Sequence, residues 1–292
     1  MYCTVSETAK KWLVSESTVR RYCRRNLIPG TKRRNGIWLI PKSAVKPMKQ
    51  DALTLLRILQ REKTARLSGG IYHKIQIDLT YNSNHIEGSR LTHDQTRYVF
   101  ETNTIGIDKG AVSVDDIIET ANHFRCIDFI IDKAKSPLSE KMIKQLHSML
   151  KTGTSDSRKD WFSVGEYKKL PNEVGGKMTA APEEVSTQIK ELLNSYRKIK
   201  NKTLRDIIAF HARFETIHPF QDGNGRVGRL IMFKECLKYN IVPFIISDDL
   251  KFFYYRGLHE WQSEPGYLVD TCLTAQDRFK QLLNAFRIPY EK

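Results

Sequence analysis

The run His218-Pro219-Phe220-Gln221-Asp222-Gly223-Asn224-Gly225-Arg226-Val227-Gly228-Arg229 restricts the fold of this chain more than any other feature, because of what flanks it. Residues 204–214 before it and 230–237 after it are apolar at three- and four-residue steps, so both read as buried helices. Between strands, Asp-Gly-Asn-Gly would be a hairpin turn. Between helices it is an exposed backbone turn at a helix start. Gly223 and Gly225 lack a Cβ and so permit positive φ and close approach of backbone amides to an anion. A helix beginning near Arg226 adds free N–H groups and its dipole to the same place.

The remaining side chains of the run suit a nucleoside triphosphate. Asp222 is a hard oxygen ligand of the kind Mg²⁺ takes beside phosphate oxygens. Arg226 and Arg229, three apart, share a helix face and present planar donors. His218, outside the glycine turn, is placed to take a proton from an incoming nucleophile.

At these residues the chain resembles the Fic (filamentation induced by cAMP) family, whose signature H-x-F-x-[DE]-G-N-G-R-x-x-R is matched at every specified position. Gln221, Val227 and Gly228 fall where the signature is open. The resemblance implies transfer of AMP from ATP to a Ser, Thr or Tyr hydroxyl of a protein. His218 would be the general base and Asp222 the Mg²⁺ ligand. Gly223, Asn224 and Gly225 would cradle the α- and β-phosphates with help from Arg226, and Arg229 would hold the γ-phosphate.

A second constellation, Ser83-Asn84-His85-Ile86-Glu87-Gly88, resembles the family's inhibitory motif [ST]-x-x-x-E-[GN]. Residues 71–81 suit the helix that carries it, with Gly88 as terminator beyond Glu87. The resemblance implies that Glu87 lies across Arg229, bidentate if the geometry allows, and takes the guanidinium the γ-phosphate needs. In some relatives the same glutamate supports removal of AMP, which is left open here.

The intervening chain suits a helical bundle, with helices expected over 112–134, after Pro137, and from 181, where Pro182 and two glutamates favour a start. Asn122 and His123 are expected to sit on a polar face or satisfy a core hydrogen bond, and neither is assigned to a site. Residues 164–176 break the helical period and read as a short hairpin. This stretch is similar to the family's flap, which receives a target's backbone as an added strand through Lys169, Leu170, Pro171, Asn172, Glu173 and Val174. Lys168 stands where relatives often carry Arg. Ser247 reads as a helix N-cap, and Tyr254 and Tyr255 resemble residues bordering the adenine pocket.

The N-terminus differs in composition. Residues 1–50 hold twelve Lys/Arg and two Asp/Glu, so +10 of the chain's net +15 lies there. A short capped helix from Val5 to Trp12, a break at 13–15 and a second helix from Glu16 precede Asn35-Gly36 between β-prone flanks, a hairpin signal. This order resembles winged helix-turn-helix domains of the MerR and excisionase type. DNA contacts are expected from Ser17, Thr18, Arg20, Arg21, Arg24 and Arg25 on the recognition helix and Lys32, Arg33 and Arg34 on the wing. Trp12, Leu13, Val19, Tyr22, Leu27, Ile28, Trp38 and Ile40 are the expected core.

The expected fold is thus mainly α: a Fic-type helical bundle with a short β-hairpin flap (67–292), a linker or linking helix (46–66) and a small winged helix-turn-helix domain (1–45). Five scattered cysteines without CxxC spacing read as reduced thiols, and no apolar run is long enough for a bilayer, which suits a cytoplasmic protein without a membrane partner. ATP, Mg²⁺, a hydroxyl-bearing target (the chain itself included), DNA and a second copy in a homodimer are the expected partners. The competing reading is a DNA-binding transcriptional regulator that uses the same site as a nucleotide sensor.

Overall fold

The computed structural model describes residues 2–24, 27–34, 36–46, 54–106 and 111–290. The chain divides into two compact units, Met1–Leu53 and Thr54–Lys292.

The smaller unit is built from α1 (Val5–Trp12), α2 (Glu16–Arg24), β1 (Tyr2–Cys3), β2 (Lys32–Arg34) and β3 (Ile37–Pro41). Thr4 and Glu7 form a reciprocal capping box that starts α1. The wing is the antiparallel pair β2–β3, with Arg34 opposite Ile37. β1, which the sequence did not suggest, pairs with the other edge of β3. Val5, Ala9, Trp12, Val19, Tyr22, Cys23, Ile28 and Ile40 form the core, with Leu27 and Trp38 partly buried against it. Leu13 is a correction. It is 90% exposed, because as the left-handed C-cap of α1 (φ 53°) it points away from that core.

The larger unit is a helical bundle: α3 (Leu55–Ala65), α4 (Ile71–Ile86), α5 (His93–Thr102), α6 (Val114–Asp132), α7 (Glu140–Lys151), α8 (Pro182–Lys198), α9 (Leu204–Ile217), α10 (Asn224–Tyr239), α11 (Lys251–His259) and α12 (Gly266–Ala285). α3 falls in the stretch read as a linker. Its Leu55, Leu56 and Leu59 join the main core, while 47–53 lie outside the described residues.

α10 is the central element. Every residue from Asn224 to Leu237 is buried, as expected of a helix covered on all sides, and α4, α6, α7 and α9 all pack on it. Asn122 donates to the carbonyls of Leu150 and Thr152, and His123 pairs with Thr80, so both are core hydrogen-bonding residues. Ser247 does not cap a helix amide: its hydroxyl donates to Asp249 Oδ1 ahead of a single 3₁₀ turn, and α11 begins after Leu250.

The hairpin is shorter and later than 164–176. β4 (Glu173–Val174) pairs with β5 (Lys177–Met178), and Gly175 and Gly176 turn with φ of 57° and 77°. Two positive φ values in succession require residues of this kind. Lys169, Leu170, Pro171 and Asn172 approach it as irregular chain.

Candidate active site

The loop between α9 and α10 begins at His218, whose left-handed backbone (φ 51°, ψ 64°) terminates α9 with its N–H on Phe214 O. Phe220 anchors the loop: fully buried, it stacks on the His147 ring at 3.9 Å with an interplanar angle of 2°. The Asn224 side chain latches the same loop by accepting from Phe220 N and donating to Phe220 O, both at 2.8 Å. Gly223 then takes φ 81° and starts α10. The amides of residues 224–226 are first-turn donors without intrahelical partners. Asn224 therefore offers an anion its N–H, its amide group being used by the loop.

His147, which no sequence signal singled out, holds the turn from behind. Gly165 N donates to its Nδ1 at 2.9 Å, so the ring proton sits on Nε2, 3.2 Å from Asp222 O. Burial, then the charge of Lys151, holds this imidazole neutral, with a pKa of about 3.

Beneath the turn lies a compact charge network. The Lys151 ammonium, 2% exposed, reaches Glu119 Oε1 at 2.5 Å, Asp222 Oδ2 at 2.7 Å and Asp156 Oδ2 at 3.0 Å. Arg226 pairs with Glu119 and with Asp222 Oδ2 at 3.1 Å. Its guanidinium is thus committed to two carboxylates below the turn, which alters the expectation that it assists a phosphate directly. Burial disfavours the Asp222 carboxylate, but Arg226 and Lys151 outweigh it and hold the group ionised far below the usual range. Both ion pairs use Oδ2, and 47% of the Asp222 side chain remains exposed. One exposed carboxylate fits Mg²⁺ in the manner of nucleotide sites, where phosphates and waters complete the octahedron. No cluster of three or more His, Cys, Asp or Glu suited to a metal occurs among the described residues.

Arg229, one turn further along α10, faces α4. Its Nη2 donates to Glu87 Oε1 at 2.6 Å and to Ser83 O at 2.9 Å, and its Nε donates to Ser83 Oγ at 3.0 Å. The pair with Glu87 uses one nitrogen only; Ser83 takes Nε and Tyr254 takes Nη1, one or other of which a bidentate pair would need. Glu87 caps α4, and Gly88 follows with φ 97°. Gly225 lies under this contact: a Cβ there would displace the Glu87 carboxylate.

Tyr254 requires correction as a nucleotide contact. It is fully buried behind Arg229, its hydroxyl accepting from Arg229 Nη1 at 3.4 Å and lying 2.7 Å from His211 Nε2. Tyr255 is 39% exposed and donates to Ile86 O, which leaves it beside the C-terminus of α4.

His218 sits between Glu215 and the flap approach. Burial, then the Lys168 charge, lowers its pKa to about 4, so the imidazole is neutral at neutral pH. Lys168 ties the flap approach to this loop: its N–H donates to Pro219 O, and its ammonium to Asn172 Oδ1 at 2.7 Å and Thr179 Oγ1 at 2.5 Å. Asn172 donates to Phe220 O at 3.1 Å. Lys169, Leu170, Pro171, Glu173 and Val174 are exposed along one stretch beside the loop.

In the smaller unit, Ser17, Arg20, Arg21 and Arg24 are exposed on α2, and Lys32, Arg33 and Arg34 on the wing; Thr18 is half-buried. Arg25 lies outside the described residues. Arg20 pairs with Glu16 at 2.9 Å, and Arg33 lies over the Trp38 ring.

Comparison with known proteins agrees with both halves of this picture. Residues 137–236 match the Fic/DOC family, and residues 2–50 match a helix-turn-helix domain. The Protein adenylyltransferase Fic of Drosophila mojavensis is 27% identical over 222 residues, 72% of this chain and 40% of the relative. Protein adenylyltransferase fic-1 of Caenorhabditis elegans is 25% identical over 183 residues, 61% of this chain and 35% of the relative. The chain therefore spans about two fifths of the length of such relatives. Among solved structures, a Fic domain containing signaling protein from Bacteroides thetaiotaomicron superposes with a TM-score of 0.58 at 26% identity, covering 80% of this chain and 92% of that one. Fic-1 of C. elegans gives 0.61 at 18% identity, covering 80% and 72%, a likeness of fold alone.

Proposed function

We propose that this chain, which carries a Fic/DOC domain and an N-terminal helix-turn-helix domain, is a protein adenylyltransferase restrained by its own Glu87. The neutral, largely buried His218 at the rim of an amide-lined turn carries this reading. A hydroxyl of the target gives its proton to His218, and its oxygen attacks the α-phosphorus of ATP. The bond to the bridging oxygen of the β-phosphate breaks and pyrophosphate departs. Amides of the first turn of α10 and the Arg229 guanidinium face the charge that builds on the leaving side, so they favour the transition state over the ground state. Asp222 would hold Mg²⁺, which when bound neutralises part of the triphosphate charge.

Lys151 and Arg226 act one layer below. They keep Asp222 ionised and fixed, which preorganises the turn before ATP arrives. While Arg229 is held by Glu87 and Ser83, the γ-phosphate lacks its grip and the triphosphate cannot settle in line with the incoming hydroxyl. The exposed stretch 169–174 suits a target backbone laid alongside it. The exposed cations of α2 and the wing suit DNA phosphates, so the target-modifying unit is joined to a DNA-reading one.

ATP labelled at the α-phosphate, incubated with the protein and a cell lysate, should leave label on protein beyond that of the lysate alone, and ATP labelled at the γ-phosphate should leave no more than the lysate alone does. His218→Ala should lose the α-label while still binding ATP. Label from the γ-position instead would point to phosphate transfer and reject this reading. A sensor that merely binds ATP would give neither label.

A further inference from the structure

Three buried polar atoms around His218 have no hydrogen-bonding partner: His218 Nδ1, Glu215 Oε1 and His211 Nδ1. They converge. Glu215, on the last turn of α9, places Oε2 3.9 Å from His218 Nδ1 and Oε1 3.8 Å from His211 Nδ1. Gly228, at an open position of the signature, makes room for this group. A Cβ there would stand 2.6 Å from both Glu215 Oε1 and His211 Nδ1.

The tautomers follow from the donors. Arg229 can only donate, so its Nη1–H points at the Tyr254 oxygen. The buried Tyr254 O–H then has His211 Nε2 as its acceptor, 2.7 Å away. His211, held neutral at a pKa of about 3 by burial and then by Arg229, must carry its proton on Nδ1, the nitrogen facing Glu215. A directed series thus runs from Arg229 through Tyr254 and His211 to Glu215, and ends at the base.

We propose that Glu215 is a positioning residue for His218: its carboxylate holds Nδ1–H of the ring, leaves Nε2 as the base, and stabilises the imidazolium formed when the hydroxyl proton is taken. The inference rests on the adenylyltransferase reading for its chemical consequence, though its geometry does not. At 3.8 and 3.9 Å these pairs stand beyond hydrogen-bond distance, so the hold on the ring requires the carboxylate to move closer when the site reacts. No proton leaves Nδ1; the hydroxyl proton resides on Nε2, and the new charge faces the carboxylate.

The state of Glu215 is set by its surroundings. Burial, then the charge of Glu87 on α4, raises its pKa to about 8, and Arg229 on α10 opposes them. His211 and Tyr254 stay neutral on the same side. On His218 itself burial acts first, then Lys168, then the backbone carbonyl of Glu215, then Glu87 and Asp222, and Lys168, lowered by burial to about 8, titrates in the same range. Glu87 is therefore a double restraint: it occupies Arg229 and adds to the burial that favours the protonated carboxyl of Glu215.

The test is the pH profile of AMP transfer from pH 6 to 9 in the Glu87→Gly protein, with and without Glu215→Gln. With Glu215 present, kcat rises with pH and levels off at a midpoint below 8, because one raising charge has been removed. With Glu215→Gln the rise disappears, kcat at the plateau falls by about tenfold or more, KM for ATP stays within about twofold, and Glu215→Asp restores part of the rise. Persistence of the rise in Glu215→Gln assigns it to Lys168 and overturns the proposal. Because Glu215→Gln could fail to fold, and the Glu87→Gly protein could fail to transfer AMP, a second measurement stands apart from activity. The ring resonances of His218 in the wild-type protein should show an inflection near pH 8, displaced downward by Glu87→Gly. If Glu87→Gly leaves that inflection in place, or if none exists, the proposal falls; absence of AMP transfer alongside the displaced inflection would reject only the adenylyltransferase reading.

Discussion

Glu87 Oε1 and Arg229 Nη2 lie 2.6 Å apart across 142 residues of sequence, over Gly225, where a Cβ would meet the carboxylate. The guanidinium is otherwise enclosed, with Ser83 on one side and Tyr254 behind it. A pair of this kind, largely withdrawn from water, is charge-assisted and directional.

Ser83 should contribute to the restraint. Ser83→Ala removes the acceptor of Arg229 Nε and leaves a buried donor unmatched, at a cost of about 1–3 kcal/mol. AMP transfer should rise several-fold over wild type yet stay below that of Glu87→Gly, by α-label incorporation. No change would show that Glu87 alone holds Arg229.

Lys151 is a stability prediction with a binding consequence. It serves three carboxylates at 2% exposure, so Lys151→Met leaves Arg226 alone to balance Glu119 and Asp222, a loss of up to about 3–5 kcal/mol. Urea unfolding should show that loss, and calorimetry should show weakened binding of ATP with Mg²⁺. An unfolding midpoint equal to wild type would remove Lys151 from its role.

Acid should destabilise the larger unit early. Burial lowers His123, His147 and His211 to pKa values of about 3, and His218 to about 4. All four stay neutral in the fold while the unfolded chain, near 6.5, takes up protons. Their contribution is present above pH 6.5 and is lost as pH falls. Glu215, raised to about 8, opposes one of the four between its unfolded value and 8. The net difference approaches three protons, or about 4 kcal/mol per pH unit. Thermal unfolding between pH 7 and 5 should report it; a flat Tm would mean that these imidazoles are protonated in the fold.

The basic face should act through phosphates. Arg21→Ala and Arg24→Ala should each weaken binding to duplex DNA across sequences and reduce the salt slope by about one. Fluorescence anisotropy at several salt concentrations measures both. Binding that ignores salt would assign the face to another partner.

The parts of the site visible in the sequence were those written contiguously or in fixed spacing. His218 through Arg229 showed its turn because two glycines interrupt a helical period, and Glu87 could be placed by Ser83 and Gly88 around it. Lys151, Glu119, His147 and His211 stayed hidden because each sits on a helix whose period it does not disturb. A buried lysine at an apolar-face position reads as a solvated end until three carboxylates, two of them from distant segments, meet it. Tyr254 was misplaced for the same reason: aromatic spacing gives the helix face, and burial decides whether that face lines a pocket or the core. Leu13 looked like core because it is apolar, but the left-handed cap turned it outward.

The central claim is competition between Glu87 and the γ-phosphate for Arg229. The most direct measurement is the initial rate of α-labelled AMP transfer by the wild-type and Glu87→Gly proteins, side by side. A rate at least about tenfold higher for Glu87→Gly, corresponding to some 1.4 kcal/mol of released restraint, is the result expected. Equal rates, with both proteins folded and binding ATP, would contradict it.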